Sequence, residues 1–329
     1  MKHETGTPGQ PLLSVRNLKT YFPIYGGLLS TLQGYVHAVD DVSLDVYKSQ
    51  TLGLVGESGC GKTTFSQTCM RIVKATGGSV NFEGRDILSM NERELREIRR
   101  DMQIIFQDPF SSLDPRMTVG EIIGEPLYIS GIKDREQRRA MTLDMMKHVE
   151  ISESYYERYP HEFSGGQRQR VSIARSLILR PKLIFCDEPV SALDVSIQSQ
   201  ILNLLKKLQN ELNLTYIFVS HALNVVRHVS DQICVMYLGK VMEIAPADQI
   251  FEDARHPYTR ALLSAIPIPD PKVKRERIIL EGTIPSPQNP PTGCRFHNRC
   301  PAAKDICARE CPDLVPVGEG HSAACHFCQ

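Results

Sequence analysis

Thr51-Leu-Gly-Leu-Val55 runs directly into Gly56-Glu-Ser-Gly-Cys-Gly-Lys62-Thr63, and these two stretches together decide the architecture. The first is a short apolar run that stops at glycine, as a buried strand of a layered α/β domain does. The second has the G-x-x-x-x-G-K-[ST] spacing and leads into a helical segment. Glycines let backbone N–H groups close around phosphate oxygens with no Cβ in the way. The helix that follows turns the positive end of its dipole toward the same anion. At this spacing Lys62 reaches the β- and γ-phosphates, and the Thr63 hydroxyl ligates Mg²⁺. Gly56, Glu57, Ser58, Gly59, Cys60, Gly61, Lys62, Thr63 and Thr64 are therefore the expected nucleotide-binding residues. The plain alternative is a glycine-rich turn with an idle lysine, and the strand–loop–helix context speaks against it.

Working outward, the first 250 or so residues alternate short β-like runs with amphipathic helical ones, the pattern of an α/β layered domain. Leu12–Leu18 and Val42–Val46 alternate like strands of an antiparallel edge, and residues 23–36 read as an insertion beside them. Leu183-Ile-Phe-Cys186, Thr215-Tyr-Ile-Phe-Val219 and Gln232-Ile-Cys-Val-Met236 are continuous apolar runs, as buried central strands require. Ile197, Ile201, Leu204, Leu205, Leu208 and Leu212 recur at helical spacing. Residues 115–180 read as a helical insertion carrying charge runs such as Lys133-Asp-Arg-Glu-Gln-Arg-Arg139.

The strand at Leu183 ends in Asp187-Glu188-Pro189. Asp187 at the strand end suits Mg²⁺, held directly or through water. Glu188, one residue on, is placed to orient or deprotonate an attacking water. Strand-end acids also serve as ordinary helix N-caps; beside a phosphate loop, the pair points to nucleotide hydrolysis rather than binding alone.

Composition limits the remaining possibilities. The 329 residues are 41% hydrophobic and 23% charged, which excludes a disordered or collagen-like chain and suits about two domains. Thirty-eight basic residues balance 38 acidic ones, so net charge supplies no reason to expect a nucleic-acid partner. Charge runs at Arg93–Arg100 and Lys272–Arg277 read as solvated faces. No apolar run approaches the roughly 20 residues that span a bilayer, and the polar start lacks a secretory stretch. The expectation is a chain that neither crosses a membrane nor is exported, yet can dock on a protein that does cross one.

Six of the ten cysteines, Cys294, Cys300, Cys307, Cys311, Cys325 and Cys328, fall in the last 36 residues, and ten of 21 prolines lie between Pro267 and Pro316. Helices and central strands cannot absorb that proline density. A boundary is expected near 250–265, giving a domain over residues 1–255 and a loop-rich extension over 256–329. In an unexported chain such a thiol cluster reads as metal-binding before it reads as disulfides. Spacings of five, six and then many residues among Cys294, Cys300, Cys307 and Cys325 suit a loop-wrapped tetrathiolate, either Zn²⁺ or an iron–sulfur cluster. The long gaps lean toward the bulkier cluster. Cys311, Cys328, His297, His321 and His326 stay open as ligands.

Between the phosphate loop and Asp187 lies Phe163-Ser-Gly-Gly-Gln-Arg-Gln-Arg170, and with it the chain resembles the ATP-binding subunits of ABC transporters over about residues 11–265. Ser164, Gly165, Gly166 and Gln167 match the family's signature motif, with Phe163 where leucine is commonest. Gln107 in Ile105-Phe-Gln-Asp-Pro109 resembles the Q-loop, Ser191-Ala-Leu-Asp194 the D-loop, and His221 in Val219-Ser-His-Ala222 the switch histidine. Ala222 departs from the usual acidic residue. The resemblance implies an ABC-type P-loop core with an antiparallel β edge subdomain and a helical insertion. It implies that Ser164–Gln167 contact ATP bound to an opposite subunit, and that His221 bonds the γ-phosphate. It further implies that Gln107 touches Mg²⁺ and the water, and that Tyr21 stacks on adenine, with Phe22 or Tyr35 as substitutes.

His256-Pro-Tyr-Thr-Arg-Ala-Leu262, Gly282-Thr-Ile-Pro-Ser-Pro-Gln-Asn-Pro-Pro291 and Gly293-Cys-Arg-Phe-His-Asn-Arg-Cys300 resemble the C-terminal extension of oligopeptide/dipeptide importer ATPases, an architecture shared with nickel importers. That resemblance implies ATP-driven peptide import and a second, homologous ATPase subunit. It also implies two transmembrane permease subunits, an external substrate-binding protein, and a peripheral place on the cytoplasmic face of the inner membrane. Relatives there carry a [4Fe–4S] site on four cysteines at positions matching Cys294, Cys300, Cys307 and Cys325. Two rivals lack their marks: a soluble ABC ATPase of repair or translation would show a long coiled coil or two cassettes. A non-hydrolysing regulatory subunit would lack Glu188 and His221.

Overall fold

Leu13–Gly26 and Thr31–Val46 pair antiparallel in the structure, a computed structural model that describes residues 9–27, 30–266 and 277–328. The register sets Leu13 opposite Val46 and Leu18 opposite Val42, so the expected alternating runs form the inner end of a longer hairpin. Leu13, Val15, Leu18, Val42, Leu44 and Val46 are buried, whereas the far end, Tyr21–Gly26 against Thr31–His37, is mostly exposed. The segment expected as an insertion at 23–36 is thus a continuation of the two strands, with residues 28 and 29 outside the described set. Gly77–Phe82 pairs with the other side of Leu13–Gly26, and Arg85–Asp86 completes a four-stranded antiparallel sheet.

The described residues form two compact units. One takes in the chain up to Tyr47, Thr51–Ser89 and the chain from Ser220 onward; the other takes in Lys48–Gln50 and Met90–Val219. The first unit holds the antiparallel sheet and, separately, the neighbouring strands Val315–Gly318, His321–Ala323, Lys240–Pro246, Gln232–Tyr237 and Thr51–Val55, in that order. Thr51–Val55 is buried throughout and runs parallel to Gln232–Tyr237, as continuous apolar runs predict. The helix Lys62–Cys69 follows it after the glycine-rich loop.

The second unit has three parallel strands, Met102–Ile105, Leu183–Asp187 and Thr215–Ser220 up to its residue Val219, with Leu183–Asp187 in the middle. Its helices begin where the sequence supplies caps. Asn91 and Glu94 form a capping box for Glu92–Asp101, Thr118 and Glu121 one for Val119–Ile129, and Asp134 caps Arg135–His148. Only Leu95 and Ile98 of Glu92–Asp101 are buried, so the Arg93–Arg100 run is a solvated face. The corresponding reading for Lys272–Arg277 lies outside the described residues, apart from Arg277. Ile201, Leu204, Leu205 and Leu208 form the buried stripe of Val195–Leu212, as their spacing predicts, while Ile197 and Leu212 are half-buried. No helix among the described residues is long and apolar enough to cross a membrane.

Candidate nucleotide site

The loop Gly56–Gly61 connects the buried strand Thr51–Val55 to the helix Lys62–Cys69, the context its spacing predicts. Gly61 is the helix N-cap and takes φ 103°, left-handed backbone that an L side chain resists. A Cβ there would stand 2.0 Å from the Ala38 carbonyl oxygen, so the position needs glycine for two independent reasons. The Lys62 ammonium is buried and donates to the carbonyls of Gly56 (2.8 Å) and Glu57 (3.0 Å). Thr63 is exposed and Thr64 half-buried in the first helical turn, beside backbone N–H groups that have no carbonyl partner within the helix.

Distant parts of the same unit support this loop. The Glu57 backbone N–H donates to the Tyr258 hydroxyl at 3.0 Å. The Glu57 carboxylate receives both terminal nitrogens of Arg299, at 2.8 and 3.2 Å. The Cys60 carbonyl accepts from Gly239 N–H, and the Gly239 carbonyl accepts from Asp40 N–H. Asp40 in turn accepts from Tyr21 Oη and Arg295, both at 2.5 Å, and these donors hold its carboxyl below the usual range against the cost of burial. Sequence reasoning missed Asp40, Tyr258, Arg295 and Arg299. No local motif links positions 201 and 242 residues apart.

Tyr21 is half-buried and lies directly across the hairpin from His37, ring centroids 4.3 Å apart. Burial, followed by the Asp40 hydrogen bond, raises its phenol, which stays protonated. Phe22 and Tyr35, the expected substitutes, are exposed on the same hairpin. His221 is exposed just past Ser220 in this unit.

In the second unit, Asp187 ends its strand buried, and the chain turns at Glu188 in left-handed backbone, φ 46°. Non-glycine residues held this way are strained and cluster where side-chain direction matters. The Glu188 N–H donates to Val219, and its carbonyl accepts from the Ser191 N–H and hydroxyl, which fix the turn. Gln107 Nε2 donates to the Glu188 carboxylate at 3.1 Å, so the structure brings together two of the expected catalytic side chains.

Ser164 caps the helix Gly165–Leu177 through a capping box with Gln167: Ser164 Oγ accepts from Gln167 N–H, and Gln167 Oε1 accepts from Ser164 N–H. The Gly165 and Gly166 N–H groups are among those at the N-terminus with no carbonyl in the helix to receive them. A Cβ on Gly166 would meet Ile197 at 2.6 Å, so close helix packing also demands glycine there. Asp194 is exposed at the N-cap of Val195–Leu212 and makes no side-chain capping bond.

The cysteines give a different result. Cys294, Cys300, Cys307 and Cys325 line one cavity of about 170 Å³, joined by Cys328, His297 and His326. Cys311 is exposed outside it, and His321 is bonded to buried Glu243 at 2.7 Å. Among the described residues, no group of three or more His, Cys, Asp or Glu side chains is placed to hold a metal ion. The metal centre expected from spacing is therefore not formed as a ligand set among the described residues, although the four thiols line one cavity.

The family model described as "ABC transporter" matches residues 39–191, and that described as "Oligopeptide/dipeptide transporter, C-terminal region" matches residues 242–307. The chain is 50% identical over 326 residues to the oligopeptide transport ATP-binding protein AppF of Bacillus subtilis, covering 98% of this chain and 99% of AppF. It is 51% identical over 322 residues to the oligopeptide transport ATP-binding protein OppF of Salmonella typhimurium, covering 95% of each. The dimeric post-hydrolysis structure of the ATP-binding cassette MJ0796, bound to ADP and phosphate, superposes with a TM-score of 0.63 at 30% identity, covering 71% of this chain and 98% of that one. Whole-length likeness at half identity, with both family regions in order, means that the chain belongs to the ATP-hydrolysing subunits of ABC transporters, in the oligopeptide/dipeptide branch.

Proposed function

We propose that the chain hydrolyses ATP to power import of di- or oligopeptides across a cytoplasmic membrane, as the peripheral ATPase of an ABC transporter. The observation that carries this is the presence on one chain of the Gly56–Thr63 loop and, over residues 242–307, the match to the oligopeptide/dipeptide transporter C-terminal region, with 50% identity to AppF along 98% of the chain. Residues 1–255 form the ATPase domain in this reading, and 256–329 the extension. The loop from Gly56 to Thr64 binds the phosphates, with Lys62 on the β- and γ-oxygens and Tyr21 at adenine. Thr63, Gln107 and Asp187 hold Mg²⁺, which when bound neutralises phosphate charge. Glu188 orients and deprotonates the attacking water, and His221 bonds the γ-phosphate. Ser164–Gln167 contact ATP held by a second, homologous subunit, and Asp194 lies at that junction. Little covalent work falls to the protein; positioning and charge neutralisation lower the barrier. Two permease subunits and an external binding protein complete the assembly. Reconstituted with its permeases in liposomes, the chain is expected to drive ATP-dependent uptake of labelled peptides delivered by that binding protein. ATP-dependent uptake of nickel, with peptides left outside, would replace peptide as the cargo.

A second proposal concerns Cys294, Cys300, Cys307 and Cys325, which in this reading hold a [4Fe–4S] cluster; their convergence on one cavity supports it. When bound, such a group cross-links a segment with little regular structure of its own. Anaerobically purified protein is expected to contain about four iron and four sulfide per chain, with visible absorption that Cys307→Ala removes. One zinc per chain without iron would make the site a zinc site, and metal-free thiols would dismiss both.

A further inference from the structure

Glu57 occupies the second position of the phosphate loop, where the sequence pattern asks for no particular side chain. Its carboxylate is nevertheless held by both terminal nitrogens of Arg299, whose side chain is only 9% exposed. Arg299 also donates to Tyr237 Oη at 3.3 Å, and Tyr258, packed against Tyr237 at 4.8 Å between ring centroids, receives the Glu57 N–H. Phe296 packs on both tyrosines, and all three rings are fully buried. Arg295, four residues before Arg299, anchors the same short segment to Asp40. Main chain and side chain of one loop residue are thus both held by residues from the last third of the sequence.

A partly buried ion pair adds little net stability, because desolvation offsets most of the attraction. What a bidentate guanidinium adds is direction, since its planar fork fixes a carboxylate in one orientation. We infer that Arg299 is a positioning residue for ATP binding: it holds Glu57 so that the backbone N–H groups of the phosphate loop stay set for the nucleotide. The inference rests on the proposed nucleotide site and assigns to the extension a part in forming it.

The test is binding of a fluorescent ATP analogue to the purified full-length chain, alongside its melting temperature. Arg299→Met is expected to weaken binding about tenfold, the scale on which outer-shell supports act elsewhere, and Arg299→Lys to recover part of the loss. In the assembled transporter the same change raises KM for ATP and leaves kcat within about twofold. Glu57→Gln reproduces the loss, and the double variant binds no more weakly than the worse single one, because the two residues act through one contact. Should Arg299→Met not fold, Glu57→Gln and Arg299→Lys carry the test. Unchanged affinity in a folded Arg299→Met or Glu57→Gln chain, or additive losses in the double variant, overturns the inference alone. Failure of the unaltered chain to bind the analogue at all overturns the nucleotide-site reading, and this inference with it.

Discussion

Glu188→Gln is expected to lower ATP turnover by roughly 10²- to 10⁴-fold, the usual contribution of a positioned general base, while ATP binding stays intact. The substitution isolates the charge. Glutamine has the same shape, and its amide oxygen still accepts from Gln107 Nε2, which donates to Glu188 at 3.1 Å. The strained backbone at φ 46° is set by bonds to Val219 and Ser191 that involve only main-chain atoms of residue 188. Turn geometry and stability should therefore survive, and phosphate release from the assembled transporter reads the loss of the carboxylate alone. A variant that releases phosphate at the normal rate would move water activation to another group. Its failure to bind nucleotide would instead mean that Glu188 serves the ground state.

Residues whose role is set by neighbours in sequence were the legible ones. Thr51–Val55 and Leu183–Asp187 announce themselves as apolar runs ending at candidate site residues, and the loop between Val55 and Lys62 is read from its glycines. The hairpin Leu13–Gly26 with Thr31–Val46 was legible only at its inner end, because the outer part has no buried face and hence no alternation to read. The strands Val315–Gly318 and His321–Ala323 went unread: four and three residues around a tight turn are too short for any period to emerge. Cysteine spacing picks out four residues that line one cavity, but spacing carries no information on whether the loops bring them into a ligand set. Arg299 and Glu57 show the same limit from the other side, since a contact between residues so far apart belongs to the packing of the extension and leaves no local pattern.

Gly61→Ala is expected to abolish ATP binding, with affinity falling by at least about a hundredfold, and Gly59→Ala provides the contrast that explains why. Both glycines have left-handed backbone, at φ 103° and 78°. An added methyl at Gly59 meets nothing within 4 Å, whereas at Gly61 it would stand 2.0 Å from the Ala38 carbonyl oxygen and 3.1 Å from its carbon. Gly59→Ala thus pays only the conformational penalty, roughly 1–2 kcal/mol. At Gly61 the clash is with main chain of the strand Thr31–Val46, which cannot rotate aside as a side chain would. The loop must therefore move, carrying Lys62 and the start of the helix Lys62–Cys69 with it. A displacement near 1 Å is enough to cost about two orders of magnitude where several donors must meet one ligand. Titration with a fluorescent ATP analogue separates the two effects: Gly59→Ala should bind with modestly reduced affinity and Gly61→Ala not measurably, while the circular dichroism spectra of both match the unaltered chain. Similar, small losses in the two variants would mean that the close approach to Ala38 does not set the loop, and that backbone conformation alone accounts for the glycines.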